Sequence, residues 1–141
     1  MLILPIEQAH FLRNLSKLGI FTGTIGILTE HYYLGTGVYI GYIFAHNYWS
    51  YPIYGLRRNL DIGWIQVLFL AHLYETWKAS YTVSYISLQT LGGVLYGLSW
   101  YAHSYNLYWT GTYLHALVHI CAHIASIHFY YGTYVSNQLS D

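Results

Sequence analysis

Charge is what this sequence has least of. Lys, Arg, Asp and Glu supply 7% of its 141 residues, against about 25% in soluble domains, and so little charge excludes an ordinary water-facing globular surface. Five basic residues balance five acidic ones. With no basic patch to neutralise phosphates and no acidic tail, nucleic acid is not an expected partner. Cysteine is nearly absent: Cys121 alone cannot close an intramolecular disulfide, leaves the redox compartment open, and reads as a small packing residue. The apolar opening, Met1 to Ile6, has neither a preceding basic region nor a small-residue cleavage site, so no removable signal peptide is expected. A Gly-rich phosphate loop, a serine nucleophile elbow and an HExxH pair are missing too, which excludes the soluble enzyme classes built on them.

What is present is apolar and aromatic: 55% hydrophobic residues and 20% Phe, Trp and Tyr. The runs are long and separated by short polar turns. They predict helical spans over about 33–49, 62–78, 82–102 and 108–131, with a shorter one, interrupted by Arg13, Asn14, Ser16 and Lys17, over about 12–29. Only helices hide their backbone polar groups in segments this long, so the expected fold is an all-α polytopic transmembrane bundle forming one domain. Pro52, Gly55, Arg57, Arg58 and Asn59 read as a connecting loop, and residues from Gly132 to Asp141 as a polar tail. Two spans separate the Arg57–Arg58 loop from the turn at His103 to Asn106, which places both on one side. Five crossings put Arg13 and Lys17 on that side as well, with the N-terminus inside, as the positive-inside rule favours.

Two patterns concern packing. Gly19 and Gly23, Gly37 and Gly41, and Gly93 and Gly97 are each four apart, the spacing that lets helix backbones approach closely. Each pair is expected to face another helix. Asp61, Leu68, His72 and Glu75 fall within about 60° of one another on a helix, a polar stripe that should face protein. The 18 tyrosines are spread through every span, and their hydroxyls need carbonyl, side-chain or headgroup partners.

The chemistry concentrates in the last span, where His115, His119 and His123 follow one another at four-residue steps and His128 points elsewhere. At about 100° per residue the first three share a stripe roughly 80° wide. Ionisable groups at such depth face a bundle interior and mark a site by default. His115 and His119 have the spacing of a metal-binding pair, with His46 or His72 as the third ligand from another helix. Alternatively one imidazole is an axial ligand to a haem between helices, or the rings bond tyrosines and carbonyls and hold the bundle together.

The order His46, then Leu60-Asp61-Ile62-Gly63 opening the next helix, then His115-x-x-x-His119 in the last span, resembles the CREST superfamily of membrane hydrolases and receptors, the alkaline ceramidase and progestin and adipoQ receptor type. The resemblance implies zinc held by His46, His115 and His119, with Asp61 orienting a metal-activated water in the hydrolysis of a lipid amide or ester. Ranked together, the expectations are a non-catalytic structural subunit of a larger membrane assembly, then this zinc-dependent intramembrane hydrolase, then a haem b anchor or electron-transfer subunit. The expected partners are membrane lipids and other membrane subunits or further copies of the chain.

Overall fold

The computed structural model describes residues 3–79 and 81–139. Met1 and Leu2 of the apolar opening, Ser80, and Ser140 and Asp141 of the expected tail lie outside the described residues. Among those described, all regular structure is helical: α1 Ile6–Leu15, α2 Leu18–Leu28, α3 Tyr32–Ser50, α4 Leu56–Lys78, α5 Thr82–Ser104 and α6 Tyr108–Gln138.

α1 and α2 act as one rod with a fault in it. The Ser16 hydroxyl donates to the Arg13 carbonyl at 2.7 Å, and the next amides reach back three residues rather than four, Gly19 to Ser16 at 2.9 Å and Ile20 to Lys17 at 2.9 Å. Side-chain competition of this kind tightens and bends a helix. The expected span over 12–29 therefore starts earlier, just after Pro5, whose ring suits a helix start, and breaks at Ser16 and Lys17.

Two turns end in left-handed residues. At Glu30 (φ 68°), the Glu30 and His31 amides close on the carbonyls of Ile27 and Gly26 at 3.1 and 2.8 Å. At Asn106 (φ 60°), the Asn106 and Leu107 amides close on His103 and Ala102, each at 3.0 Å. This is the Schellman arrangement, which satisfies the last carbonyls of a helix before the chain reverses. Glu30 is an unusual occupant, because an L residue with a long side chain is strained there.

The rods form a closed circuit in which α1–α2 packs on α3 and α6, α3 on α4, α4 on α5, and α5 on α6. At the first end, the Ile3 amide donates to the Pro52 carbonyl at 2.8 Å and Thr112 donates to Gln8 at 3.1 Å. That end therefore gathers the start of α1, the α3–α4 loop and the start of α6, so the Arg57–Arg58 segment and the His103–Asn106 turn share a side as expected. The second end is marked by His31 against Thr133 of α6 at 2.7 Å. Each end has its own apolar core: Leu12, Ala45, Trp49 and Ala116 at the first, and Leu34, Phe129 and Tyr130 at the second. Burying one such leucine stabilises by about 2 kcal/mol.

Glycine sets the helix spacing between these cores. A Cβ on Gly35 of α3 would lie 2.7 Å from the Gly23 carbonyl oxygen and 2.9 Å from the Ile27 nitrogen, and one on Gly19 would lie 2.9 Å from Tyr42 Cβ. The opposite side of α3 receives α4: a Cβ on Gly37 would meet Leu68 at 2.8 Å, and the Trp64 indole donates to the Gly37 carbonyl at 2.8 Å. Two of the three expected glycine pairs thus face a helix. The third does not: nothing approaches within 4 Å of a Cβ on Gly93 or Gly97. Their neighbour Gly92 is the one turned toward α6, near Val118 and Cys121.

Three boundaries are corrected. Arg57 to Asn59 form the first turn of α4 rather than a loop, so Asp61 sits in the second turn and is buried. His103 and Ser104 complete α5, and α6 runs to Gln138 rather than stopping near Tyr131. Gly132 leaves room for Tyr81 beside this extension, because a Cβ there would fall 2.5 Å from the Tyr81 hydroxyl oxygen. Among the described residues no helix is both long and apolar enough to cross a membrane; α1 and α2 are only 10 and 11 residues long.

Candidate functional site

Two groups of buried and half-buried polar side chains can be followed, one toward each end of the bundle. At the second end, His72 of α4 is almost wholly enclosed. Its Nδ1 lies 2.8 Å from the Leu68 carbonyl, which can only accept, so Nδ1 carries the proton and Nε2 is the acceptor. The Tyr130 hydroxyl of α6 then donates to Nε2 at 2.6 Å. Tyr85 of α5 lies parallel to the imidazole, with ring centroids 5.8 Å apart and 1° between planes, so three helices meet on one ring. Tyr130 is stacked on its other flank by His31, 5.1 Å away. The Thr133 hydroxyl donates to the Phe129 carbonyl at 2.9 Å, which leaves its oxygen to accept from His31 Nε2 at 2.7 Å. Burial holds the His31 pKa below its usual 6.5 against the opposing pull of the Tyr130 carbonyl.

At the first end, the expected histidine stripe is real in part. The rings of His115 and His119 lie 5.1 Å apart, and His115 is flanked by Trp49 of α3 at 5.4 Å and Tyr96 of α5 at 5.8 Å. His103 fits over Gly111, where a Cβ would come within 2.7 Å of its ring, and Ser99 donates to the Gly111 carbonyl at 2.7 Å. His119 Nε2, His103 Nδ1 and Trp49 Nε1 are buried with no hydrogen-bond partner. His128, on the other face, meets only the Tyr81 ring among the aromatic contacts.

The proposed metal set does not assemble. Among the described residues no group of three or more His, Cys, Asp or Glu side chains could hold a metal ion, so His46 and His72 add no third donor to the His115–His119 pair. Each is engaged elsewhere. His72 is held by Leu68 and Tyr130, and the Nε2 of His46 accepts from Arg13 Nε at 3.0 Å, the position a zinc ion would need. A guanidinium there also repels a cation. Asp61, expected as the water-orienting group, is buried with Oδ1 unpartnered, near enough to Tyr48 to act on its hydroxyl together with Arg58. Of the residues that carry the CREST resemblance, His115 and His119 lie together, while His46 and Asp61 complete no metal-holding group with them among the described residues.

Two grooves stand out on the surface. One, of about 260 Å³, is lined by Arg13, Tyr42, Ile43, His46, Asn47 and Ser50. The other, of about 430 Å³, is lined by Tyr32, Tyr33, Thr36, Gly37, Ile40 and Trp64. Neither reaches His72, His115 or His119. The arrangement around those histidines is an interior of rings and hydroxyls that cross-links helices. His31, Trp49, Tyr85, His103 and Tyr130 belong to it and carry no sequence signal of their own; each is one aromatic residue among many until the helices are packed. No family model, curated protein or solved structure matches this chain.

Proposed function

We propose that this chain is an integral, multi-pass membrane protein that serves as a non-catalytic structural subunit of a larger membrane assembly. The observation that carries the reading is the ordering of its exposed side chains. Tyr51, Tyr54, Trp100, Tyr101, Tyr105 and Trp109 are exposed at the first end, and Tyr32, Tyr33, Tyr74, Trp77 and Tyr131 at the second. Between them the exposed side chains are mainly aliphatic, among them Ile43, Val67, Leu70, Leu91, Val94 and Ile124. Along α3, α4 and α6 the two aromatic zones are about 30 Å apart at 1.5 Å per residue, the thickness of a bilayer's hydrocarbon core. Tyr and Trp favour its two boundaries.

Helix-averaged hydropathy counts both faces of each rod, and here seven of the nine histidines are buried or half-buried, His10 and His128 being the exposed ones. Two of the exposed hydroxyls are closed off locally, Thr24 donating to the Ile20 carbonyl and Ser87 to the Val83 carbonyl, each at 2.8 Å, which suits a lipid surround. The zone is interrupted by exposed Gln66 and Lys17. The subunit role rests on Gly93 and Gly97, which lie on the outside of α5 with open space around them at a spacing suited to helix contact. A helix from another subunit or another copy fits there.

Alkaline carbonate extraction of membranes from expressing cells tests embedding, with retention in the pellet expected and release to the supernatant overturning it. Native gels of the same membranes in mild detergent test assembly. A complex larger than one chain should be lost in the Gly93→Leu/Gly97→Leu variant. A single-chain species in the unsubstituted protein sinks the subunit role.

A further inference from the structure

The groove between α1 and α3 combines positive charge without a counter-charge, unfilled donors and a place close to one end of the bundle. Arg13 has five N–H donors, of which Nε is used on His46, and no carboxylate pairs with it among the described residues. Lys17 follows one turn later, holding only the Asn14 side chain at 3.1 Å. The charges that act on His46 are those of Arg13 and Lys17, with no acidic group among them. Because His46 Nε2 accepts from Arg13, its proton sits on Nδ1, which is buried and unpartnered. Asn47 is exposed beside it, and Ser50 closes the groove one turn away. Ser50 is the last residue of α3 and Tyr51 of the first aromatic zone follows it, so the groove opens at that boundary.

We propose that this groove binds a phosphate anion, and that the phosphate is the headgroup of an anionic membrane lipid. The claim about the source rests on the membrane reading above; the claim about the anion does not. An isolated cation pair facing lipid is costly, whereas a phosphate diester neutralises it and takes two parallel N–H bonds from the guanidinium. The volume of about 260 Å³ admits the headgroup while its acyl chains lie along exposed Ile43 and Ile20. Lys17 reaches the same boundary along its apolar stem.

The test uses the full chain in nanodiscs of phosphatidylcholine with and without phosphatidylglycerol, released into detergent and read by native mass spectrometry. The expected result is retention of phosphatidylglycerol over phosphatidylcholine by about tenfold, lost in Arg13→Gln, the scale of one hydrogen-bonded charge contact. Lys17→Gln changes an exposed side chain, keeps the test readable if Arg13→Gln fails to fold, and should weaken retention severalfold. Arg58→Gln, a cation at the same end that stacks on Tyr54 at 5.2 Å, should leave it unchanged. Equal retention of the two lipids, or loss in Arg58→Gln as large as in Arg13→Gln, overturns the site. Inorganic phosphate that stabilises the protein in neutral micelles as well as phosphatidylglycerol does overturns the lipid assignment. A carbonate-extractable protein that binds phosphate through Arg13 keeps the anion site and removes the membrane reading; a carbonate-resistant one without lipid preference does the reverse.

Discussion

The Tyr130 hydroxyl and the His72 imidazole, 58 residues apart in sequence, meet at 2.6 Å in a buried position. With Nδ1 committed to the Leu68 carbonyl, no other acceptor geometry is open to the ring. Tyr130→Phe leaves the Nε2 lone pair buried and unmet, and a buried polar group without its partner costs about 1–3 kcal/mol. The expected outcome is a lower thermal midpoint for Tyr130→Phe in detergent, with helix content by circular dichroism unchanged at low temperature. An unchanged midpoint would show that this bond carries no stability.

Gly35 and Gly93 make a controlled pair. Gly35→Ala forces a methyl to within 2.7 Å of the Gly23 carbonyl oxygen, and since the obstacle is backbone, α2 and α3 must separate, at about 1–3 kcal/mol. Gly93→Ala meets nothing within 4 Å and gains helix propensity of up to about 1 kcal/mol. Chemical denaturation of the purified chain should move in opposite directions for the two. Equal destabilisation would mean that Gly93 is packed after all.

Glu30 holds a left-handed conformation at φ 68°, which glycine adopts freely. Glu30→Gly should therefore stabilise the chain by about 1 kcal/mol, read as a raised thermal midpoint. A fall would reveal a contact of the Glu30 side chain that outweighs the backbone strain.

Acid should loosen the second end. The His31 pKa is lowered in the folded chain by burial, so below the unfolded value of 6.5 the unfolded state binds more protons and stability falls as pH drops. The stability contributed by a neutral His31 is complete above that value and declines beneath it. His31→Gln should make the pH dependence between 7 and 5 shallower, measured as midpoint against pH. An identical slope in the variant would assign the effect to other histidines.

Most helix positions were legible in the sequence because the apolar runs are long and their turns polar, but the break that makes α1 and α2 two helices where one span was expected was not. The four-residue glycine spacing gave the close approach of α2 to α3 at Gly19 and Gly23 and of α3 to α4 at Gly37 and Gly41; of the Asp61–Leu68–His72–Glu75 stripe, Asp61 and His72 are buried, whereas Glu75 turns to Lys78 at the surface, 3.1 Å away. What could not be read was which polar groups converge. His115 and His119 satisfy a ligand spacing on paper, but their candidate partner His46 is taken by Arg13, 33 residues away in sequence, a contact that no spacing announces. The direction of Gly93 and Gly97 was equally hidden: their spacing says that they share a face, whereas the helix rotation that turns Gly92 inward is set by Val118 and Cys121 on α6.

The bundle closes through its most distant parts. Consecutive α4 and α5 touch sparingly, while α6 returns to both α1 and α2, across 104 residues from Thr112 to Gln8 and 102 from Thr133 to His31. A chain made from its N-terminus therefore completes its first rod long before that rod's second neighbour exists. Gln8 and His31 must wait, half-matched, until α6 arrives, so the circuit stays open until that helix has been made.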